Sequence, residues 1–384
     1  MAVYSGPNSV EDGLVMLVDS SNKKSFSPNV FPRGTDIYGW YVDTKGNNTA
    51  NNCNLTRDTI SSPVGNTPLK MSVTGDDPYL ASYNSSPWNL ANAASGESWT
   101  ISVYVKASQS TTGELLLFGA GSNSAYLEVP NTNVNITTSW TRVSYTATFS
   151  NASTVFLQMR LDGTQSSGTG IDIWWDGLQI ERGSTATEFT KEYTLDSSLN
   201  ERMLDLSGNG HNIALGTAVR YVNSYGGVLN FPDDLDGYGQ NTSLNLSSSN
   251  YTVISFVRKN VNGDVGRTIN SYSNNWLLGH HDSTYGDYYA EGWVNNIASP
   301  TADTTWRMFT GTGNISADSY SLYINADHEV TNSGGSAGPN GWNLNGRPNQ
   351  VTDCQIANLI CYNRVLTAAE VQQNFNALRG RFGI

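Results

Sequence analysis

Aromatic, histidine and acidic side chains crowd into residues 274–293, which read NNWLLGHHDSTYGDYYAEGW. Aromatic rings can stack on sugar rings while imidazole and carboxylate groups bond to hydroxyls, and the same residue types are common in contacts between proteins. A third interpretation is that alternate residues of this stretch fill the core of a sheet. The candidate residues for contact with a glycan or with another subunit are Trp276, His280, His281, Tyr285, Tyr288, Tyr289 and Trp293.

A second group of residues suggests a metal site. Asp233, Asp234 and Asp236 lie close together in the stretch PDDLDG, and hard oxygen ligands of this kind suit calcium. The stretch lacks the full pattern of an EF-hand loop, so a solvated turn is the alternative. No other cofactor is predicted.

Catalytic motifs are missing from the sequence. Glycoside hydrolases place two carboxyl groups roughly 5–10 Å apart across a cleft, and a Glu-x-Asp-x-x-Glu string on one strand would provide them. No such string occurs, and Glu114, Glu128, Glu188 and Glu291 are scattered singly. The four histidines do not fall at zinc-ligand spacing, and neither a nucleophile elbow nor a phosphate loop is present. The sequence therefore predicts a protein that is not an enzyme.

Charge and hydropathy restrict the partners. The 384-residue chain has a net charge of −12, which argues against nucleic acid and against anionic membrane surfaces. No apolar stretch approaches the roughly 20 residues of a membrane helix, and the first residues do not form a secretory signal. We therefore expect synthesis in a cytoplasm without a signal peptide.

The elements that would position these residues are predominantly strands. Only 14% of residues are charged, whereas the chain has 20 Tyr and 10 Trp. Apolar and polar residues alternate in SWTISVYVKAS (98–108), SWTRVSYTATF (139–149) and NYTVISFVRK (250–259), and polar turns separate such segments. Short strands of this kind without intervening helical patterns predict an all-β sandwich or barrel.

One helix is predicted near the C-terminus. Thr367 and Glu370 have the spacing of a capping box. Val371, Phe375 and Leu378 follow at intervals of four and three residues, which gives one apolar face.

The three cysteines predict no disulfide. Cys354 and Cys361 fall in CQIANLIC, where strand alternation would place them on opposite faces of a single strand. We therefore expect these two thiols and Cys53 to be reduced and mostly buried.

Several longer motifs resemble known families. The stretches DLSGNGHNIAL (205–215), LNFPDDLDGYGQ (229–240) and IANLICYNRVLTAAEVQQNF (356–375) resemble a laminin-G-like, concanavalin A-like jelly roll. The stretches at 98–108 and 139–144, with IDIWWDGLQIERGSTATEF (171–189), resemble the carbohydrate-binding-module-like jelly roll of tailed-phage (cyanophage-like) virion proteins. The resemblance implies two jelly-roll β-sandwiches with one short C-terminal helix.

The resemblance also bears on domain organisation. GLVMLVDSSNKKSF (13–26) normally runs directly into a DLSGNG segment, which here begins at residue 205. Residues 1–29 are therefore expected to give a strand to a C-terminal domain at 193–384, with a domain at 30–192 inserted between them. The alternative is a tandem arrangement in which this strand belongs to the first domain.

Function follows from the resemblance as an expectation. It implies a non-enzymatic virion structural protein on the particle exterior, as a fibre, adhesin or capsid decoration. Its partners would be other virion proteins, further copies of itself and host-surface polysaccharide. The alternatives are a glycan-binding lectin without a structural role and a polysaccharide hydrolase. The resemblance also implies a structural calcium ion at Asp176, the alternative being that this side chain accepts hydrogen bonds from nearby backbone.

Overall fold

The computed structural model describes most of the chain. The described residues are 8–27, 36–43, 48–65, 67–82, 92–93, 96–120, 126–127, 132–149, 155–163, 169–189, 201–216, 218–222, 224–297, 300–347 and 349–384. About half of them lie in strands of antiparallel sheets and few are helical, which confirms the all-β class. Within these ranges no helix is both long and apolar enough to cross a membrane.

The chain divides into two compact units. One consists of Met1–Phe26 together with Asn200–Ile384 and is called the terminal unit; the other is Ser27–Leu199 and is called the central unit.

The elements are numbered in chain order. The strands are β1 (Leu14–Asp19), β2 (Asn48–Asn51), β3 (Cys53–Arg57), β4 (Leu69–Val73), β5 (Tyr79–Ser82), β6 (Asn92–Ala93), β7 (Ser98–Ala107), β8 (Thr111–Ala120), β9 (Tyr126–Leu127), β10 (Thr132–Ile136), β11 (Thr141–Thr148), β12 (Val155–Asp162), β13 (Asp172–Arg182), β14 (Arg202–Met203), β15 (Ile213–Leu215), β16 (Arg220–Val222), β17 (Val228–Phe231), β18 (Gly239–Asn245), β19 (Tyr251–Lys259), β20 (Ile269–Asn270), β21 (Trp276–His281), β22 (Thr284–Ala290), β23 (Trp293–Asn295), β24 (Arg307–Asn314), β25 (Ser319–Ile324), β26 (Asp327–Asn332), β27 (Asn340–Leu344), β28 (Cys354–Ile356) and β29 (Asn358–Tyr362). The helices are α1 (Ile37–Asp43) and α2 (Ala368–Leu378), and a 3₁₀ turn follows at Arg379–Arg381.

The central unit is a sandwich of two antiparallel sheets. One sheet runs β10-β8-β12-β5-β2, with β6 and β9 at its side, and the other runs β11-β7-β13-β4-β3. Alternation along β7 and β13 directs residues such as Trp99, Val103 and Trp175 into the core, where they are fully buried.

The terminal unit is built around a large sheet that contains the path β16-β17-β28-β19-β24-β25-β26. Two smaller sheets, β14-β15-β18-β27 and β20-β21-β22-β23, accompany it. One core includes Trp276, Trp342 and Tyr251, and a second forms where Phe256 stacks on Phe375 of α2 and on Phe382.

The N-terminal strand pairs within the terminal unit. β1 lies antiparallel to β29, with Met16 opposite Cys361 and Val18 opposite Leu359. Met16 and Val18 are fully buried in the core of this unit.

Two details differ from the sequence-based expectation. The short helix α1 was not predicted. Its residues, IYGWYVD, are mostly β-branched or aromatic, and such residues favour strands. At the start of the helix, however, the Asp36 side chain accepts a hydrogen bond from the Gly39 N–H. The predicted single strand CQIANLIC is divided into β28 and β29, and its pairing with β19 shifts by one residue between Ile356 and Ile360.

The shift means that the β28–β29 segment has one residue more than the facing part of β19, which is a β-bulge. The bulge reverses which face of the sheet the following side chains occupy. Cys354 and Cys361 are therefore both buried in the same core, and the expectation that they lie on opposite faces was wrong. All three cysteines are free. The packing of Cys354 and Cys361 raises the pKa of both thiols, because burial disfavours the thiolate.

Candidate functional site

Three of the predicted contact residues are core residues. Trp276, His280 and Tyr288 have 0% exposure, so they cannot contact a glycan or another subunit, and their candidacy for such contacts is corrected. The Trp276 indole N–H donates to the Tyr251 hydroxyl at 3.1 Å, and the hydroxyls of Tyr251 and Tyr288 lie 2.6 Å apart. His280 packs edge-on against Phe309, and burial lowers its pKa well below the usual value, so the imidazole is neutral.

The other four predicted residues reach the surface. Trp293, which is 37% exposed, packs edge-on against both Tyr289 and His281, with ring centroids 5.0 and 5.5 Å apart. Tyr285 is half-buried and belongs to a different feature, because the Arg307 guanidinium lies over its ring at 3.7 Å from the centroid.

Tyr285 lines a cavity at the end of the β24–β25–β26 strands, called here the edge cavity. Its volume is about 580 Å³. The lining residues are Tyr285, Asn295, Ile297, Pro300, Arg307, Ile324, Asn325, Asp327 and Glu329. Arg307 is held by Asp303 through two hydrogen bonds of 2.6 and 3.0 Å, and these bonds keep the pKa of Asp303 well below its usual range. The cavity therefore combines an apolar wall with amide and carboxylate groups.

The central unit presents an aromatic surface that the sequence interpretation missed. Trp175 faces the core, so Trp174 projects from the opposite face of the five-stranded sheet. On the neighbouring strands Lys106 and Lys70 lie directly opposite Trp174, and their ammonium groups are 5.0 and 5.7 Å from its ring centroid. Lys106 is also 5.8 Å from the ring of Trp140.

These four side chains are called the tryptophan face. Both indole N–H groups are fixed: Trp174 donates to Asp58 at 2.8 Å and Trp140 donates to the Ser61 carbonyl at 3.0 Å. The bond from Trp174 lowers the pKa of Asp58, which keeps that carboxylate charged. Lys70 pairs with Asp172 at 2.8 Å, whereas Lys106 makes no ion pair within the described part of the chain. The sequence signal was the pair Trp-Trp in IDIWWDG, since adjacent strand residues point to opposite faces.

Asp176 anchors the loop that supports the tryptophan face. It is 1% exposed, accepts the Gly177 N–H at 2.8 Å and also accepts the Ser62 hydroxyl. Ser62 in turn accepts the N–H of Gly65 at 2.9 Å, so the loop carrying Asp58 and Ser61 is fixed against the sheet. Burial raises the pKa of Asp176 and these hydrogen bonds lower it, but burial has the larger effect.

These contacts agree with the alternative in which Asp176 accepts hydrogen bonds from nearby backbone. Both of its carboxylate oxygens are already engaged. No group of three or more His, Cys, Asp or Glu side chains with metal-binding geometry occurs in the described ranges. Calcium at Asp176 stays a prediction.

The aspartates of PDDLDG form an exposed turn. Asp233, Asp234 and Asp236 are all exposed, and Asp234 accepts the Asp236 N–H at 2.8 Å. The turn closes with a hydrogen bond from the Gly237 N–H to the Asp234 carbonyl. A calcium ion here also stays a prediction.

A carboxylate cluster in the central unit was not foreseen. Glu114 and Asp162 are direct cross-strand partners on β8 and β12, and their exposures are 5% and 2%. Arg160 donates to Asp162 at 2.5 Å and to Asp77 at 2.6 Å. Burial raises the pKa of Asp162 to about 7, against the opposing effect of Arg160, and burial also raises the pKa of Glu114. Glu114 is therefore not an isolated carboxylate.

Comparisons with known proteins add structural likenesses. No family model and no curated protein sequence matches the chain. The binding domain of Paraclostridial Mosquitocidal Protein 1 is 20% identical with a TM-score of 0.38, and the match covers 46% of this chain and 49% of that one. Domain 4 of AbnA, a GH43 extracellular arabinanase from Geobacillus stearothermophilus in complex with arabinotriose, is 16% identical with a TM-score of 0.36 and coverage of 45% and 91%.

A CBM4 structure is also similar, at 15% identity and a TM-score of 0.27, with coverage of 37% of this chain and 99% of that one. The chain spans about half the length of the toxin binding domain that it matches. Similarity at these identities and TM-scores does not identify a function.

Proposed function

We propose that the protein is a non-enzymatic binding protein on the outside of a virion, and that the tryptophan face of its central unit contacts glycan. The observation that supports this most directly is the fixed position of Trp174 and Trp140 on the outer face of a sheet. Rings held in one orientation lose little entropy when a flat ligand stacks on them. The virion context rests on the motif resemblance, as do contacts with other virion proteins and self-association.

The charge of the tryptophan face favours acidic sugars. Lys106 has no ionic partner among the residues described, and Lys70 shares its charge with one carboxylate. A carboxylated or sulfated glycan would pair with these ammonium groups while its ring stacks on Trp174. Binding should therefore weaken as salt is added.

The test is binding of the purified protein to an array of neutral, carboxylated and sulfated glycans. We expect Trp174→Ala to weaken binding about tenfold or more, because a central aromatic contact contributes on the order of 2 kcal/mol. Tyr272→Ala, which removes an exposed aromatic side chain from the terminal unit, is the control and should bind like the wild type. Equal binding by the Trp174 variant, or no binding to any glycan, would contradict the proposal.

Virion location needs a separate measurement. Immunogold labelling of purified particles should place the protein on their exterior. A protein that binds glycan but is absent from particles would be a lectin without a structural role.

The Glu114–Asp162 pair is the one observation that favours a hydrolase, since paired carboxylates with a raised pKa suit acid catalysis. Both side chains are buried and Asp162 is tied to Arg160, which leaves little access for a substrate. Incubation with acidic and neutral polysaccharides should therefore release no reducing ends. Release that disappears in Glu114→Gln would support a hydrolase instead.

A further inference from the structure

The edge cavity of the terminal unit is separate from the tryptophan face and has its own geometry. One wall comes from the β22–β23 region, with Tyr285 and Asn295, and the other from the β25–β26 hairpin, with Asn325 and Asp327. The volume of about 580 Å³ falls within the range of about 300–1,000 Å³ that is usual for small-ligand sites.

The hairpin turn fixes the polar wall. Asn325 and Ala326 both have positive φ, 53° and 72°, as a tight two-residue hairpin turn requires. The Oδ1 of Asn325 accepts the Met308 N–H at 2.9 Å, which leaves its amide N–H groups for a ligand. Asn295 donates to the Gly286 carbonyl at 2.7 Å, which leaves its own oxygen as an acceptor.

The charge of the cavity is negative. Asp327 and Glu329 are two residues apart on β26, where the register with β25 shifts by one residue, and both line the cavity. Both are exposed, and neither carboxylate forms a hydrogen bond or ion pair with the described residues. The only cation in the lining, Arg307, is already neutralised by Asp303 and stacked on Tyr285. An anionic ligand would be repelled, whereas an ammonium group would find two carboxylates without partners.

The remaining lining is apolar. Ile297, Pro300 and Ile324 provide a surface for the C–H face of a sugar ring, beside the two amides that can bond to hydroxyls. We propose that the edge cavity is a second ligand site and that its ligand is an amino sugar residue, with the protonated amine at Asp327 and Glu329. This assignment does not depend on the tryptophan face, and the two sites prefer ligands of opposite charge.

The experiment titrates the full-length protein by calorimetry with three oligosaccharides of equal length: a glucosamine tetramer, its fully N-acetylated form and a galacturonate tetramer. Spermidine serves as an amine without a sugar ring. We expect the glucosamine tetramer to bind about tenfold more tightly than the acetylated form, as two exposed charge pairs allow, and to bind more weakly in high salt.

The double variant Asp327→Asn/Glu329→Gln should lose that tenfold preference. The control Asp318→Asn/Glu11→Gln removes the same number of charges from exposed positions elsewhere and should keep it. Trp174→Ala should also keep it, which separates this site from the proposed glycan surface. Equal binding of acetylated and free tetramers, or an unchanged preference in the double variant, would overturn the proposal. Spermidine binding as tightly as the glucosamine tetramer would overturn its sugar component.

Discussion

The carboxyl group of Asp162 couples the stability of the central unit to pH. Its pKa in the folded protein is about 7, against an ordinary 3.8, because burial disfavours the charged form. A raised folded-state pKa means that the native unit holds a proton which the unfolded chain releases. The contribution of protonated Asp162 to the free energy of unfolding is fully present below the ordinary pKa of 3.8. It is lost as the pH rises through the folded-state pKa of about 7.

Asp162→Asn should therefore remove this pH dependence. We expect the variant to match the wild type at pH 4 and to be more stable by about 2–3 kcal/mol at pH 8, measured by hydrogen exchange of central-unit amides.

Asp172→Asn is a control whose expected effect on stability at pH 8 is opposite to that of Asp162→Asn. Burial raises the pKa of Asp172, but hydrogen bonds from Lys70 and Ser72 outweigh burial and lower it overall. That variant should lose stability at pH 8. An Asp162 variant that is less stable than the wild type at pH 8 would contradict the assignment.

At the scale of single residues, the sequence showed where aromatic residues cluster but did not predict which of them are buried and which are exposed. The prominence of residues 274–293 was clear, yet Trp276 and Tyr288 are core residues while Trp293 is exposed. Alternation alone does not say which face of a strand is covered, because that depends on the sheet packed against it. The Glu114–Asp162 contact could not be predicted either, because it depends on the pairing of β8 with β12, two strands that are distant in the sequence.

Among the elements, α2 is the one whose start was predicted in detail. The Thr367 side chain accepts the Glu370 N–H, and the Glu370 carboxylate accepts the Thr367 N–H at 2.8 Å, which forms the expected capping box. Glu370 also pairs with Arg364 at 2.6 Å, and this contact lowers its pKa to about 2. Local signals sufficed here because a cap involves only neighbouring residues.

Thr367→Ala should destabilise the terminal unit by about 1 kcal/mol, because the Glu370 N–H at the start of α2 loses its side-chain acceptor. Chemical denaturation followed through terminal-unit amides is the measurement. Thr367→Ser keeps the hydroxyl and should be close to neutral. Identical stability of the alanine and serine variants would show that the cap contributes nothing.

The bulge at β28–β29 marks the limit of local inference. Asn358 is fully buried, and its Oδ1 accepts the Phe256 N–H at 3.0 Å, so the extra residue is held by a strand distant in the sequence. An apolar run containing one Asn gave no local sign of this shift in register.

For the whole molecule, the contact between residues 25 and 204 makes the central unit separable. The Leu204 N–H donates to the Ser25 carbonyl at 2.6 Å, and the Ser25 hydroxyl donates to the Leu204 carbonyl at 2.7 Å. We therefore predict that a short Gly-Ser linker can replace residues 27–199.

We expect the shortened protein to stay monodisperse, with the terminal unit melting as it does in the full chain. Deleting residues 10–26 instead should expose the edge of β29 and cause aggregation, measured by size-exclusion chromatography. If the shortened protein were unfolded, or the strand deletion were harmless, the inserted arrangement of the domains would be wrong.

The pairing of β1 with β29 has a consequence for biosynthesis. The ribosome releases β1 before its partner β29, which is completed roughly 17 to 70 seconds later at a usual rate of about 5–20 residues per second. During that interval Met16 and Val18 are not yet buried in the core of the terminal unit, whereas the contiguous central unit can already fold. The terminal unit is thus closed by a strand that is translated after the whole central unit, and chaperone protection of β1 would matter most in that interval.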